Sequence, residues 1–161
     1  MAIVLARIDE RLLHGQIRLQ WGKQSGANTV LLANDELSEQ VALQAPFKAA
    51  AGGEFAVVCR SIEQTISNLP KAGPDRKICL ICKTPMDFAR IVQGGVKLPE
   101  INIGNMHFHP GRVMVDKNVN VNKEDMKAFE ILRDHGSVCT VQHAPESAKQ
   151  CIFEMTKSLD I

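Results

Sequence analysis

Short apolar runs alternate with longer amphipathic segments along all 161 residues of the chain. Several runs are apolar at consecutive positions, which is typical of strands in a parallel sheet that is covered on both faces. The alternation predicts an α/β fold: a single doubly wound open sheet of about seven mostly parallel strands with helices on both faces, formed by residues 1–161 as one domain. The predicted strands are Ile3–Arg7, Thr29–Ala33, Glu54–Cys59, Ile78–Lys83, Glu100–Ile103, a broken Arg112–Val121 and Ser137–Gln142.

Several of the predicted helices carry boundary signals. Ser61–Gln64 fits a capping box, in which the serine oxygen and the glutamine side chain satisfy free backbone N–H groups reciprocally. Thr84–Pro85 combines an N-cap residue with a proline at the first helical position. Asn122 can cap the next helix, which should end at Gly136 because glycine readily adopts the left-handed conformation. The last helix is predicted from about Glu146 to Leu159.

Charge and hydropathy exclude several classes of protein. The chain has 19 basic and 18 acidic residues and a formal net charge of +1, so we expect no nucleic-acid partner, which would require a basic excess. Apolar runs such as Phe55–Cys59 and Ile78–Cys82 are far too short to cross a bilayer. A strand-like segment begins at Ile3, so we expect no leader peptide. Aromatic residues make up 4% of the chain, which leaves few rings for stacking on sugars or planar cofactors.

The five cysteines are predicted to be reduced thiols in a cytoplasmic protein. Cys79 and Cys82 form a C-x-x-C pattern, but they lie inside an apolar run that is predicted to be a strand. Positions i and i+3 of a strand point to opposite faces, so these two thiols cannot share a metal or a disulfide. We therefore expect them to pack in the core, and a thiol oxidoreductase is disfavoured.

The turn after the first predicted strand, Arg7–Gln16, concentrates two arginines, two carboxylates and an imidazole. In open parallel sheets, ligands bind beyond the carboxyl ends of the strands. A neutral imidazole is a good nucleophile, so His14 could carry a phosphoryl group at the start of the following helix. Arg11 could add a charge-assisted contact to it, and Asp9 could orient Arg11 or one ring nitrogen. The alternative is a surface histidine beside a solvated cluster of charges.

The other strand ends carry weaker signals. Asn34–Glu36 is typical of an acidic helix-capping turn, and Thr84 is predicted to be a cap. The segment Asn102–His109 is too rich in polar residues and glycine to serve packing alone. Its two histidines, His107 and His109, could ligate a metal, but no third ligand stands at a suitable spacing.

The segment Arg7–Gln16 resembles the signature turn of the IIB subunits of the mannose/sorbose family of the bacterial sugar phosphotransferase system. Asn34–Glu36, Thr84–Pro85, Gly94–Val96 and Asn102–Phe108 are similar to segments of that family, and the resemblance extends over essentially the whole chain. The residues Asn105 and His107, together with Cys82–Pro85, are more similar to amino-sugar members, such as those for N-acetylgalactosamine. The general mannose-type pattern has smaller residues at positions 105 and 107.

The resemblance implies a protein-Nπ-phosphohistidine–sugar phosphotransferase that needs no metal or cofactor. Its IIA partner would donate a phosphoryl group to Nδ1 of His14, and the group would then pass to a sugar held by the membrane permease subunits IIC and IID. Arg11 would stabilise the phosphate and Asp9 would orient the site. The further residues expected at the phosphate or at the partner surface are Arg7, Gly15, Gln16, Asp35, Gly104, Asn105, Met106 and Phe108.

Since donor and acceptor both belong to other proteins, we expect His14 to protrude from a surface patch with apolar members such as Leu12 and Met106. The expected location is the cytoplasm, at the inner face of the plasma membrane through IIC and IID. The sequence leaves open which sugar is used and whether the chain forms a homo-oligomer. One alternative is a receiver-like regulatory domain, although Cys59–Ser61 offers no aspartate at the end of the third strand. Another is a small-molecule binding module without covalent chemistry.

Overall fold

The computed structural model describes all 161 residues of the chain. Helix α1 consists of a π-helical segment, Ile17–Gly22, continued by an α-helical turn, Lys23–Ser25. The strands are β1 (Ala2–Ile8), β2 (Thr29–Ala33), β3 (Ala56–Arg60), β4 (Lys77–Cys82), β5 (Glu100–Ile103), β6 (Val113–Asp116), β7 (Val119–Val121), β8 (Val138–Val141) and β9 (Gln150–Cys151). The other helices are α2 (Asp35–Glu39), α3 (Ala45–Ala50), α4 (Ile62–Asn68), α5 (Pro85–Gln93), α6 (Lys123–Asp134) and α7 (Ile152–Thr156). None of the helices combines the length and the apolar character needed to cross a membrane.

Seven strands form one sheet in the order β3-β2-β4-β1-β5-β8-β9. All neighbouring pairs are parallel except β8 and β9, which are antiparallel. The predicted mostly parallel, doubly wound sheet is therefore confirmed. The connection that follows β1 packs on one face of the sheet, whereas α6, in the connection from β5 to β8, packs on the other. The carboxyl ends of β1 and β5 thus flank a crevice of the kind in which α/β proteins bind ligands.

Two apolar clusters cover the two faces of the sheet. The larger one lies beneath helices α4 to α7 and includes Phe88 and Phe129, while the smaller one lies beneath α1 to α3 and includes Ile17 and Trp21. Cys79 belongs to the smaller cluster and Cys82 to the larger one, so the prediction that they face opposite sides of β4 is confirmed. Burial raises the pKa of the Cys79 thiol to about 12, which makes this thiol unreactive at neutral pH.

The helix boundaries predicted at Ser61, Thr84, Asn122 and Gly136 are found in the structure. Ser61 and Asn122 each form a capping box, with α4 and α6 respectively. The hydroxyl of Thr84 accepts a hydrogen bond from the N–H of Asp87 at the start of α5. Gly136 follows the end of α6 with a φ of +89°, a conformation that glycine adopts without strain.

Two predicted elements differ from the structure. The broken strand Arg112–Val121 is a separate antiparallel hairpin of β6 and β7, outside the main sheet. The segment predicted as a helix over Glu146–Leu159 begins instead with a turn, continues as β9, and is helical only over Ile152–Thr156. Pairing of β9 with β8 covers what would otherwise be an open sheet edge, and local helical periodicity does not reveal such pairing.

Candidate functional site

The chain turns sharply after β1, and this turn positions the cluster of charged residues. The carboxylate of Asp9 accepts a hydrogen bond from the N–H of Arg11 at 2.9 Å, and its carbonyl oxygen accepts one from the N–H of Leu12 at 2.9 Å. An aspartate is well suited to such a turn because its short side chain reaches the backbone two residues further on. Leu12 is buried with a φ of +56°, a strained conformation for a bulky residue that is typical of functional loops. Helical structure begins at Gly15, directly after His14.

The imidazole of His14 is held by Asp9. Its Nε2 atom lies 3.2 Å from Oδ2 of Asp9, and the same oxygen accepts a hydrogen bond from the Nδ2 group of Asn105 at 2.8 Å. Asp9 is fully buried. Burial alone would raise the pKa of Asp9, but the hydrogen bonds from His14, the Arg11 backbone and Asn105 outweigh it and lower that pKa below its usual value. The carboxylate therefore stays ionised and accepts a hydrogen bond from the Nε2–H group of His14.

This arrangement selects one tautomer of His14. With the proton on Nε2, the lone pair is on Nδ1. Nδ1 makes no hydrogen bond within the protein, and it is not sealed from solvent. The side chain as a whole is only 10% exposed, so the expectation that His14 protrudes is wrong: the ring lies in a recess that leaves a small part of it open.

Arg7, at the end of β1, lies beneath this site as a buried cation. Its guanidinium donates a hydrogen bond to the side-chain oxygen of Asn102, lies 3.5 Å from Oδ2 of Asp9, and stacks 4.9 Å from the ring centre of Trp21. Burial lowers the pKa of Arg7, and the neighbouring Asp9 carboxylate opposes that effect. Gly104 provides the necessary room, because a Cβ at this position would collide with the guanidinium.

The side chain of Arg11 differs from that of Arg7 in being free. It is exposed and makes no hydrogen bond or ion pair; only its backbone N–H is bound, to Asp9. The sequence left open whether Asp9 orients the Arg11 guanidinium or a ring nitrogen of His14. In the structure, the Asp9 side chain contacts the His14 ring and not the Arg11 guanidinium. Gly15 and Gln16 are exposed at the start of the helix that follows. The free guanidinium and the open helix start lie on either side of His14 in the chain.

A second charged network, which no local sequence pattern indicates, holds the turn from the other side. Glu10 pairs with the almost buried Arg112, whose Nε donates to Asp125 at 3.1 Å and whose Nη1 donates to the carbonyl oxygen of His107 at 2.8 Å. Burial would raise the pKa of Glu10, but the bonds from Arg112 and His109 lower it. The sequence around Arg112 does not indicate its role, because its partner Glu10 is 102 residues away along the chain.

Other predicted residues lie apart from the His14 cluster or have a different exposure. Asp35 joins the carboxyl end of β2 to two helices, accepting hydrogen bonds from the N–H of Ile62 and from Arg90. Leu12 and Met106 are buried, so they are not the expected surface patch. Phe108 is 66% exposed and is the apolar residue that this loop presents to solvent.

His107 and His109 both approach Glu10, at 3.4 and 3.1 Å. No group of three or more histidine, cysteine, aspartate or glutamate side chains in the structure is arranged to hold a metal ion. The two histidines are therefore partners of a carboxylate that Arg112 already neutralises.

Comparison with known proteins identifies the family. The family model of the phosphotransferase system sorbose subfamily IIB component matches residues 3–160. The N-acetylgalactosamine-specific phosphotransferase enzyme IIB component 2 of Escherichia coli is 41% identical over 95% of this chain and 98% of its own. The mannose-specific EIIAB component of the same species is 30% identical over 99% of this chain, which spans 50% of that longer protein.

Among solved structures, the crystal structure of the N-acetylgalactosamine-specific IIB component 1 from Escherichia coli superposes with a TM-score of 0.90. It is 34% identical, and the match covers 93% of this chain and 99% of that one. The fold and the sequence relationship thus agree over nearly the whole chain. This chain belongs to the sorbose subfamily of the IIB components of the sugar phosphotransferase system.

Proposed function

We propose that this chain is a phosphocarrier that accepts a phosphoryl group on Nδ1 of His14 from a phosphorylated IIA protein. It then transfers the group to a sugar held by the membrane subunits IIC and IID, as a protein-Nπ-phosphohistidine–sugar phosphotransferase. Membership of the sugar phosphotransferase family supports the reaction type. The name of the mannose-specific EIIAB relative, half of which this chain matches, supports a IIA partner. Association with IIC and IID would place the chain at the inner face of the plasma membrane.

One observation carries the proposal: the buried Asp9 carboxylate binds Nε2 of His14 and leaves Nδ1 with its lone pair. In the first transfer, that lone pair attacks phosphorus as the P–N bond of the donor phosphohistidine breaks, and the bonding electrons return to the donor ring. Phosphorylation draws electron density from the His14 ring, and the Asp9 carboxylate stabilises the resulting positive charge at Nε2–H.

In the second transfer, a sugar hydroxyl attacks the same phosphorus and the P–Nδ1 bond breaks. The electrons return to Nδ1, and the hydroxyl proton passes to a base of the permease or to water. His14 leaves the cycle as the neutral Nε2–H tautomer with which it began, so the Asp9 contact serves both steps. Transfers of this kind depend on in-line positioning and on stabilisation of the equatorial oxygens.

The exposed Arg11 guanidinium is the group proposed to provide that stabilisation, because nothing in the protein competes for it. Gly15 and Gln16 would contribute the open helix start, and Asn105 and Gly104 would keep Asp9 and Arg7 in place. Phe108 would contact a partner protein. The names of the 41% and 34% identical relatives support an amino sugar of the N-acetylgalactosamine type as the acceptor.

A phosphoenolpyruvate-driven relay reconstituted with a matching IIA protein tests the site. Wild-type protein should acquire an acid-labile, alkali-stable label typical of phosphohistidine, and His14→Ala should acquire none. His135→Ala is the matched control, because His135 is an exposed histidine at the end of α6 and should not affect labelling. Undiminished labelling of His14→Ala would overturn the assignment. A hydroxylamine-sensitive acyl phosphate would instead favour a receiver-like domain.

A further inference from the structure

A cavity of about 350 Å³ lies beside the His14 cluster, on the side of Arg7 and the β6–β7 turn. Its walls contain no hydrophobic residue, which is unusual because small-molecule pockets are mostly apolar. The eight residues that line it are Arg7, Gln16, Gly104, Asn105, Lys117, Asn118, Gln142 and His143. An all-polar wall next to a transfer site indicates a hydrophilic ligand.

Two cations border this cavity with donors to spare. Arg7 is only 5% exposed. Its Nη1 donates a hydrogen bond to Asn102 and its sealed Nε faces Asp9, which leaves Nη2 as the nitrogen without a partner. Lys117 is exposed, and its ammonium group forms no ion pair. Two carboxylates pair with residues of the cavity wall: Asp9 lies 3.5 Å from Arg7, and Asp116 is bound by His143 at 2.8 Å. A buried arginine with unused N–H groups at a polar cavity is suited to an anion, above all to a phosphate.

The amides of the cavity are suited to hydroxyl groups. The NH₂ group of Asn105 is committed to Asp9, and that of Gln142 is committed to the carbonyl oxygens of Pro145 and Ser147. Each of these two side chains therefore has a carbonyl oxygen available as an acceptor. A ligand that binds these two carbonyl oxygens must supply hydrogen-bond donors, as the hydroxyl groups of a sugar do.

We propose that this cavity binds a phosphorylated sugar, with the phosphate at Arg7 and Lys117 and the hydroxyl groups at Asn105 and Gln142. The inference rests on the proposed function, whose product is a phosphorylated sugar. Since Asn105 also holds the Asp9 carboxylate, a molecule in the cavity lies next to the phosphorylation site. Bound product would therefore slow the rephosphorylation of His14.

The test is a titration of ¹⁵N-labelled, unphosphorylated protein with N-acetylgalactosamine 6-phosphate, followed by amide chemical shifts. N-acetylgalactosamine and inorganic phosphate are titrated separately. We expect saturable shifts at Asn118 and Gln142 with the sugar phosphate, and affinity that is at least about tenfold weaker for each of the other two probes. Lys117→Gln should weaken sugar phosphate binding about tenfold, whereas Lys157→Gln, an exposed lysine on no wall of the cavity, should not.

Equal affinity for inorganic phosphate would overturn the sugar part of the proposal, and equal loss in both lysine variants would overturn the location. An absence of shifts at millimolar concentration would overturn it altogether. The same wild-type preparation is also labelled in the phosphoenolpyruvate relay with and without N-acetylgalactosamine 6-phosphate, which should slow the labelling. Because the titration needs no phosphorylation, a failure of His14 labelling and a failure of the cavity to bind are separate results.

Discussion

Oδ2 of Asp9 lies 3.2 Å from Nε2 of His14 and, at the same time, accepts a hydrogen bond from Asn105 on a different loop. One buried carboxylate thus links the loop after β1 to the loop after β5. Because Asp9 contacts Nε2 and not Nδ1, the nitrogen proposed to react, its contribution is measurable separately from that of the proposed nucleophile.

Asp9→Asn should alter the tautomer of His14 and slow phosphoryl transfer. An asparagine can present an NH₂ group to Nε2, which moves the ring proton to Nδ1 and blocks the lone pair. By analogy with other histidines that depend on a carboxylate, we expect a loss in rate of about 10²–10⁴-fold. The ¹⁵N shifts of the imidazole report the tautomer, and rapid-quench labelling reports the rate. A normal rate together with a changed tautomer would contradict the mechanism.

Arg11→Ala should keep the fold and slow the transfer to sugar by orders of magnitude. The guanidinium has no structural partner, so its removal leaves no group unsatisfied. Arg11→Lys keeps the charge but loses bidentate contact, and we expect it to be intermediate. Sugar phosphorylation with purified permease measures the effect, and thermal unfolding checks the fold. Wild-type turnover by the alanine variant would remove Arg11 from the mechanism.

Gly104→Ala should displace the Arg7 guanidinium, because the added methyl group occupies its position. We expect a loss of about 1–3 kcal/mol in the free energy of unfolding, together with slower transfer. Gly73→Ala is the matched control, since a Cβ there meets no atom within 4 Å, and its stability should be unchanged or slightly higher. Urea denaturation measures the free energy of unfolding of both variants. Equal values would show that the Arg7 guanidinium can move aside without destabilising the protein.

Arg112→Met should destabilise the protein strongly. It leaves the carboxylates of Glu10 and Asp125 without their shared cation, and loss of one partner of a buried ion pair costs about 3–5 kcal/mol. Lys23→Met removes one partner of an exposed pair with Glu54 and should cost less than about 1 kcal/mol. Similar losses in the free energy of unfolding for the two variants, measured by chemical denaturation, would show that the Arg112 ion pairs do not stabilise the contact between the β1 turn and α6.

Stability should decline on acidification through the titration of Asp9 and Glu10. Both pKa values are lowered in the folded protein from ordinary values of 3.8 and 4.5. The unfolded chain therefore binds more protons in this range, so stability is complete above about pH 5 and is lost as the pH falls through the lowered values. Asp87, whose pKa is raised by burial, contributes with the opposite sign. Comparing urea curves of wild type and Glu10→Gln from pH 3 to 7 cancels that contribution, and the variant should show the smaller acid dependence.

Much of the fold follows from patterns within a few residues. The caps at Ser61, Thr84 and Asn122 need only neighbours three positions away, and the parallel strands are recognisable by continuous apolar runs. The crowded Arg7–Gln16 turn was likewise visible in the sequence. The π-helical winding of α1 over Ile17–Gly22 has no such local signal.

Features that depend on distant pairing escaped prediction. Arg112 finds Glu10 only when the hairpin folds against the β1 turn, and β9 exists only because β8 offers an edge. The need for a partner-facing patch predicts Leu12 and Met106 at the surface, yet the sharp turn and the β6–β7 hairpin place both in the interior. Exposure within such a turn is set by the backbone, and local hydropathy does not determine it.

Four of the five cysteines are buried, and Cys151 in β9 is the exception, being only partly covered. The short antiparallel strand that closes the sheet edge thus carries the one thiol within reach of a reagent. A maleimide dye added to the native protein would therefore attach at a single defined position without any engineered cysteine. Encounters with partner proteins could then be followed by fluorescence in the unaltered chain.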